Sequence, residues 1–328
     1  MPGYLPLPAS ECHGNSCAIP SPIQETLSNS NPERARLLTG TFCRGRCTIN
    51  LLNAENYQLV RLKDGTCSIR SLAEDETFHP VVGPVAEAEA LYVKQLRLRQ
   101  RLQSHDGEFV VWDVGLGAAA NAIAVLRTAS ELPCSLRIIS FDRTLEPLKF
   151  ALRHAAELGY FSGYEKAARE LLESSHALDG RWELRLGDFP GWLRTLPGTG
   201  PAPHAILFDA FSPAKNPAMW TASLFTNLHR CLNPQRPCAM PTYSRSTMLR
   251  VTLLLAGFFV GAGHATGEKE ETTIAANTLD LLDEPLSRNW LQRARSSRSA
   301  EPLWEAVYRQ AHLSRESWEK LLRHPQFQ

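Results

Sequence analysis

The stretch Val110-Val111-Trp112-Asp113-Val114-Gly115-Leu116-Gly117-Ala118-Ala119-Ala120-Asn121 decides the fold of this chain. Residues 109–114 are a short apolar run and read as a buried strand. Two glycines follow at once, and residues 118–130 then carry a helical pattern. In a strand, glycine turn and helix start of this kind the backbone can approach a bound nucleotide, because glycine has no Cβ in the way. The pattern is Gly-x-Gly-x-Ala, short of a full dinucleotide fingerprint, and read alone it also describes a purely structural turn.

Toward the C-terminus the alternation continues. Strands are expected at 136–141, 182–186, 205–208, 238–242, 258–260 and 271–276, with helices at 146–159, 165–176, 189–196, 219–231 and 244–256. Strands that alternate with helices predict an α/β fold with a parallel, doubly wound sheet. Toward the N-terminus, residues 84–103 carry a helical stripe through Val85, Ala88, Leu91, Tyr92 and Leu96. Before it, Lys63-Asp64-Gly65 separates two alternating runs and signals a β-hairpin. Residues 1–36 are rich in Pro, Ser and Asn and read as a flexible tail. Beyond Asp280 the chain reads as amphipathic helix around Trp290, Leu303-Trp304, Val307-Tyr308 and Trp318. The resulting division is a tail at 1–36, a hairpin-and-helix extension at 37–105, the α/β domain at 106–280 and a helical extension at 281–328.

Composition bounds the function. Of 328 residues, 43 % are hydrophobic and 21 % charged, which suits an ordinary globular core. The 35 basic and 34 acidic side chains nearly cancel, so the chain does not coat nucleic acid by bulk charge. Local basic patches remain open, at Lys94, Arg97, Arg99 and Arg101 and at Arg288, Arg293, Arg295 and Arg298, although such runs are more often solvated helix faces. Eight cysteines, at 12, 17, 43, 47, 67, 134, 231 and 238, lack the tight spacing of a zinc knuckle and read as free thiols, with no metal expected. No signal peptide is read at the N-terminus, and the most apolar run, 253–260, is too short to cross a bilayer; a soluble, cytoplasmic protein is the expectation.

Five sites fall at the carboxyl ends of the expected strands, the edge where open α/β sheets bind ligands. The first is Asp113 with Gly115, Gly117 and Asn121. The second is Asp142, 27 residues after Gly115, where an acid grips ribose hydroxyls in such folds. The third, Asp188, accepts an adenine amino group or caps the helix that begins at Phe189. The fourth is Asp209-Ala-Phe211-Ser-Pro213-Ala-Lys215-Asn216-Pro217-Ala-Met219-Trp220, an acid followed by a loop stiffened by prolines. The fifth is Pro241-Thr242-Tyr243-Ser244.

The fourth segment closely resembles the Asp-Ala-Phe-x-Pro-x-Lys-Asn-Pro-x-Met-Trp segment of the MnmC-type tRNA methyltransferases. Residues 113–121, Phe141-Asp142, Gly187-Asp188, Thr242-Tyr243-Ser244 and Gly267-Glu-Lys269-Glu-Glu look like that family's other motifs, in order, and Glu89-Ala-Leu-Tyr92-Val93 resembles the piece that precedes its sheet. The resemblance spans roughly residues 55–285. Ala119, Ala218 and Asp142 depart from it, standing where the family usually has a glycine, an acid and a glutamate.

The resemblance implies a class I methyltransferase fold, a Rossmann-like, seven-stranded and mostly parallel sheet, with S-adenosylmethionine as cofactor. It implies methylation of the primary amine of 5-aminomethyluridine, often 2-thiolated, at the tRNA wobble position, with a separate enzyme preparing that amine. On this reading the catalytic residues are Asp209, which holds the amine and receives its proton, and Tyr243. The cofactor would be held by Glu89, Asp113, Gly115, Gly117, Asn121, Asp142, Asp188 and Asp209. Phe211, Pro213, Lys215, Asn216 and Trp220 would meet the substrate, against ordinary core packing for Trp220 and an exposed loop position for Lys215. Rival readings are an aminopropyltransferase or another small-amine methyltransferase of the same fold, a nicotinamide-linked oxidoreductase, and a non-catalytic RNA-binding module.

Overall fold

The computed structural model describes residues 56–195, 200–266 and 270–328. The tail expected at 1–36, the start of the extension and Gly267-Glu-Lys269 lie outside the described residues. The hairpin forms as the Asp-Gly signal requires. Strand β1 (Tyr57–Arg61) pairs antiparallel with β2 (Cys67–Ser71), and a two-residue β3 (Glu76–Thr77) adds to β2. Asp64 Oδ1 accepts from Thr66 N at 2.9 Å and Gly65 takes φ +87, so each turn residue does what its side chain, or lack of one, permits.

The expected continuous helix at 84–103 is three pieces. They are α1 (Gly83–Ala88), a π-helical turn (Glu89–Lys94) and α2 (Leu98–Gln103), with Arg97 left-handed at φ +51. The break follows from a tertiary contact: the buried Gln95 accepts from His264 N at 3.1 Å and Thr272 Oγ1 at 3.2 Å. Periodicity carries no trace of that pull.

The α/β part runs β4 (Glu108–Val114), α3 (Ala120–Ser130), β5 (Ser135–Asp142), α4 (Glu146–Arg153), α5 (Ala155–Leu158), α6 (Glu165–Ser174), β6 (His176–Ala177), β7 (Trp182–Leu186), α7 (Phe189–Thr195), β8 (Ala205–Phe208), α8 (Ala222–Arg230), β9 (Ala239–Thr242), α9 (Thr247–Leu255), β10 (Phe259–Gly263) and β11 (Thr272–Ala276). It ends with β12 (Glu284–Pro285), α10 (Trp290–Ser296) and α11 (Arg315–Leu322). The sheet order is β12-β10-β11-β9-β8-β4-β5-β7-β6. The five central strands from β9 to β7 pair in parallel, and β11 runs antiparallel to both β9 and β10. The seven expected strands are therefore all present in a Rossmann-like, mostly parallel sheet, with two short edge strands beyond them.

Side-chain alternation along β4 builds a core on each face. Phe109 and Val111 pack with α3 and with Leu91, Leu98 and Leu102 of the N-terminal helices. Val110, Trp112 and Val114 face the other way, toward Phe225, Leu249 and Leu291. The N-terminal helices thus share a core with the sheet.

Two further elements differ from expectation. The helix expected at 219–231 starts later, because Pro217–Trp220 forms a 3-10 turn and extended Thr221 caps α8, its side chain accepting from Leu224 N. Residues 303–308 are not helical. Leu303 bridges to Thr221, and Leu303 O accepts from Ala222 N at 2.8 Å, which holds this segment extended.

Candidate active site

The turn after β4 is built on backbone contacts. Gly115 and Leu116 both donate to Phe141 O, at 3.0 and 3.2 Å, which ties the ends of β4 and β5 together. Gly115 has φ +97, and a Cβ placed there would lie 2.7 Å from Asp209 O. Glycine is thus required by conformation and by the close passage of the chain after β8. Gly117 N donates to Asp142 Oδ2 at 2.9 Å. Asn121 Nδ2, on the first turn of α3, donates to Asp209 Oδ2 at 2.7 Å.

These residues line one cavity of about 540 Å³ at the carboxyl edge of the sheet. Gly115, Gly117, Asn121, Asp142, Asp188, Asp209, Phe211, Asn216 and Tyr243 all face it. Asp188 also accepts from Gly191 N at 2.8 Å, so it caps α7 as well as standing at the rim. Burial raises the Asp142 carboxyl, and the N–H groups of Gly117, Thr144 and Arg143 oppose that rise. Burial, with Asp209 and Glu76 nearby, holds the Tyr243 hydroxyl well above its ordinary range, and this hydroxyl donates to Ala210 O at 3.0 Å.

Other expected site residues stand back from the cavity. Asp113 is fully buried behind the glycine turn, and its Oδ2 accepts from Ser140 Oγ at 2.7 Å. Trp220 is also fully buried; its Nε1 donates to Phe211 O at 2.7 Å, so it braces the loop rather than walling the cavity. Pro213 and exposed Lys215 lie outside the lining. Glu89 is absent from the lining too, and the carboxylate that α1 supplies is Glu87, two residues earlier and 4 % exposed. The signal for Glu87 was in the sequence: it stands four residues before buried Leu91, hence on the inward face.

The sequence reading also missed the contribution of the hairpin. Glu76 accepts from Ser212 N at 3.1 Å and from the Ser212 hydroxyl, which fastens β3 to the Asp209–Trp220 loop. Phe78 packs edge-on to Phe211 with ring centroids 5.5 Å apart. His79 reaches between Glu87 and Asp209. No local pattern flags these residues, because their meaning depends on a loop 130 or more positions away.

A family model described as S-adenosyl-L-methionine-dependent methyltransferase matches residues 164–278. The chain is similar to the tRNA 5-methylaminomethyl-2-thiouridine biosynthesis bifunctional protein MnmC of Aeromonas hydrophila, 31 % identical over 57 % of this chain and 30 % of that protein. It is 28 % identical to the protein of that name from Methylibium petroleiphilum, over 69 % of this chain and 35 % of that one. The chain therefore spans about a third of the length of these relatives. In fold it is similar to the crystal structure of MnmC2 from Aquifex aeolicus, with TM-score 0.61, 22 % identity, and coverage of 83 % of this chain and 84 % of that one. The chain is MnmC-like in sequence and in fold, and its matched region is that of an S-adenosylmethionine-dependent methyltransferase.

The cavity of this MnmC-like chain fits its cofactor. Gly115 lets the end of β4 pack on the chain after β8, Gly117 leaves space beside Phe78, and Asn121 Oδ1 is a buried acceptor with no partner among the described residues. Asp142 and Asp188 supply carboxylates at the ends of β5 and β7. Glu76, Glu87 and Asp209 add further carboxylates to the lining, which suits a positively charged sulfonium.

The basic clusters of the MnmC-like chain are largely engaged internally. Arg97 donates to Asp280 O, Arg99 pairs with Glu131, and Arg101 donates to His204 O and Pro237 O. In the second cluster Arg293 lies 3.5 Å from Glu271 and Arg295 stacks over Trp318, while Arg298 is exposed. Among the described residues no group of three metal-ligating side chains occurs, Cys67, Cys134, Cys231 and Cys238 are free, and no helix is long and apolar enough to cross a membrane.

Proposed function

We propose that this chain methylates the aminomethyl nitrogen of a 5-aminomethyluridine, with or without 2-thiolation, at the wobble position of tRNA. The names carried by the similar proteins support the substrate class. The observation that carries the reading is Asp209 at the end of β8, with its backbone against Gly115 and its carboxylate on the cavity shared with Asp142 and Asp188. An acidic cavity suits this reaction because sulfonium and alkylammonium are both cations.

When bound, S-adenosylmethionine would supply a sulfonium-activated methyl group that the amine lone pair would take, with the S–C electron pair left on sulfur. The residues of the chain hold the partners. Gly115, Gly117, Asn121, Asp142 and Asp188 bind the cofactor; Asp209 accepts hydrogen bonds from the amine, and Phe211 and Asn216 meet the base. Tyr243 positions the strand end, since its neutral hydroxyl already donates to Ala210 O. Holding the two partners together supplies up to about 7–11 kcal/mol of barrier lowering in favourable cases. In this reading a separate enzyme prepares the aminomethyl group, in the cytoplasm where tRNA is modified.

Mass spectrometry of wobble uridines from cells lacking the protein tests the proposal. The expected result is loss of the methylaminomethyl nucleoside and accumulation of the aminomethyl one. Unchanged methylaminomethyluridine would overturn it.

A further inference from the structure

We propose that His79 is a catalytic residue, the imidazole that takes the proton from the substrate ammonium. His79 lines the cavity and its side chain is only 9 % exposed. Nε2 lies 3.7 Å from Asp209 Oδ2, and Nδ1 lies 3.9 Å from Glu87 Oε1. The ring therefore stands between two carboxylates, one of them the group that faces the amine. The backbone of His79 is left-handed at φ +48 and precedes Pro80, a position where a proline restricts its neighbour to extended conformations. Strain of this kind persists where the surroundings hold a side chain in a working position.

The chemistry needs such a group, and this inference rests on the amine-methylation reading above. An alkylammonium has no lone pair and must lose a proton before it can attack. An ordinary carboxylate is roughly six orders of magnitude weaker as a base than an alkylamine, and an ordinary imidazole roughly four. Asp209 and Glu87 stand within 4 Å of the ring and can balance the charge it takes up. In the step assigned here, the ammonium N–H bond breaks, its electron pair stays on nitrogen, and the proton bonds to Nε2. Asp209 and Glu87 balance the new charge, and the proton leaves to water once the amine has reacted. The carboxylates nearest the ring are Glu87 on α1 and Asp209 after β8; the same cavity also carries Glu74, Asp75 and Glu76 of the hairpin, Tyr57 on β1, Asp142 at the end of β5, Asp188 after β7 and Tyr243 after β9. Arg70 and Arg143 are cations on the same cavity.

Two measurements on the full chain test this. In the first, the His79 imidazole is titrated by NMR and assigned by its loss in His79→Gln. Its midpoint is expected to fall by about one pH unit in Asp209→Asn, with Glu87→Gln as the second variant. Midpoints unmoved in both variants would overturn the pair, whatever the substrate. In the second, methylation of tRNA bearing 5-aminomethyluridine is followed against pH. His79→Gln is expected to lower kcat about 100-fold at pH 7, with the deficit shrinking below tenfold by about pH 9.5, where more amine is already neutral, and with cofactor Kd held within threefold. A deficit independent of pH, or one that tracks lost cofactor binding, would make His79 structural. A wild-type protein inert on this tRNA would instead refute the substrate reading, and the NMR result would still decide the role of the ring.

Discussion

The Cα of Gly115 rests against the carbonyl of Asp209, so closely that an added Cβ would sit 2.7 Å from that oxygen. The turn that opens the cofactor side and the strand end that bears the acid are therefore one packed unit, and its two halves are 94 residues apart. Gly115→Ala would bring a backbone clash together with a left-handed alanine at φ +97. The expected loss is about 2–4 kcal/mol of stability. Thermal unfolding should show it, together with loss of S-adenosylmethionine binding by calorimetry; a variant that binds normally would refute the close packing.

Ala119 stands where the resemblance leads one to expect glycine, and it is left-handed at φ +64. Replacing it by glycine relieves about 1–2 kcal/mol of left-handed strain. The same change loosens the unfolded chain by about 0.4–1 kcal/mol and removes a fully buried methyl, costing about another 0.8 kcal/mol. These nearly cancel, so Ala119→Gly should change stability by less than about 1 kcal/mol. Ala119→Val should cost about 3 kcal/mol, since a β-branched side chain fits neither the backbone nor the space. Chemical denaturation of both variants would show whether the order holds.

Asp113 is fully buried, and burial, helped by the charges of Asp209 and Asp142, pushes its carboxyl up to about 7 from 3.8, while the Ser140 hydroxyl opposes the rise. A raised carboxyl means that the folded state holds its proton more tightly. The stability it contributes is present below about pH 4 and is lost as pH rises through about 7, on the order of 4 kcal/mol in all. Asp113→Asn cannot ionise. Relative to wild type it should raise stability by only about 1 kcal/mol at pH 4.5 and by about 4 kcal/mol at pH 8. Denaturation midpoints at the two pH values give the answer, and equal effects at both would count against the buried acid.

Trp220 fastens the loop that follows Asp209 through its bond to Phe211 O. Trp220→Phe keeps most of the ring packing but leaves that carbonyl without its donor. A loss of about 2 kcal/mol is expected. Because Phe211 then moves more freely, KM for the RNA should rise more than Kd for the cofactor. Steady-state kinetics and calorimetry would separate the two.

Much of this was legible in the sequence. The strand and helix order came from periodicity, because a strand buried on both faces and an amphipathic helix leave different hydrophobic spacings. Gly115, Asp142, Asp188 and Asp209 stood out because each ends a strand, and parallel strands bring their ends to the edge where all four line one cavity. Tertiary structure decided the rest. It divided the helix at 84–103 through the buried Gln95, it set Trp220 and Asp113 behind the cavity wall, and it put Glu87 rather than Glu89 on the lining. It also carried Glu76, Phe78 and His79 onto the same cavity. Local spacing records which way a residue faces its own element. Which distant loop it then meets is fixed only when hydrophobic cores form on both sides of the sheet, and that meeting turns scattered acids and one histidine into a site.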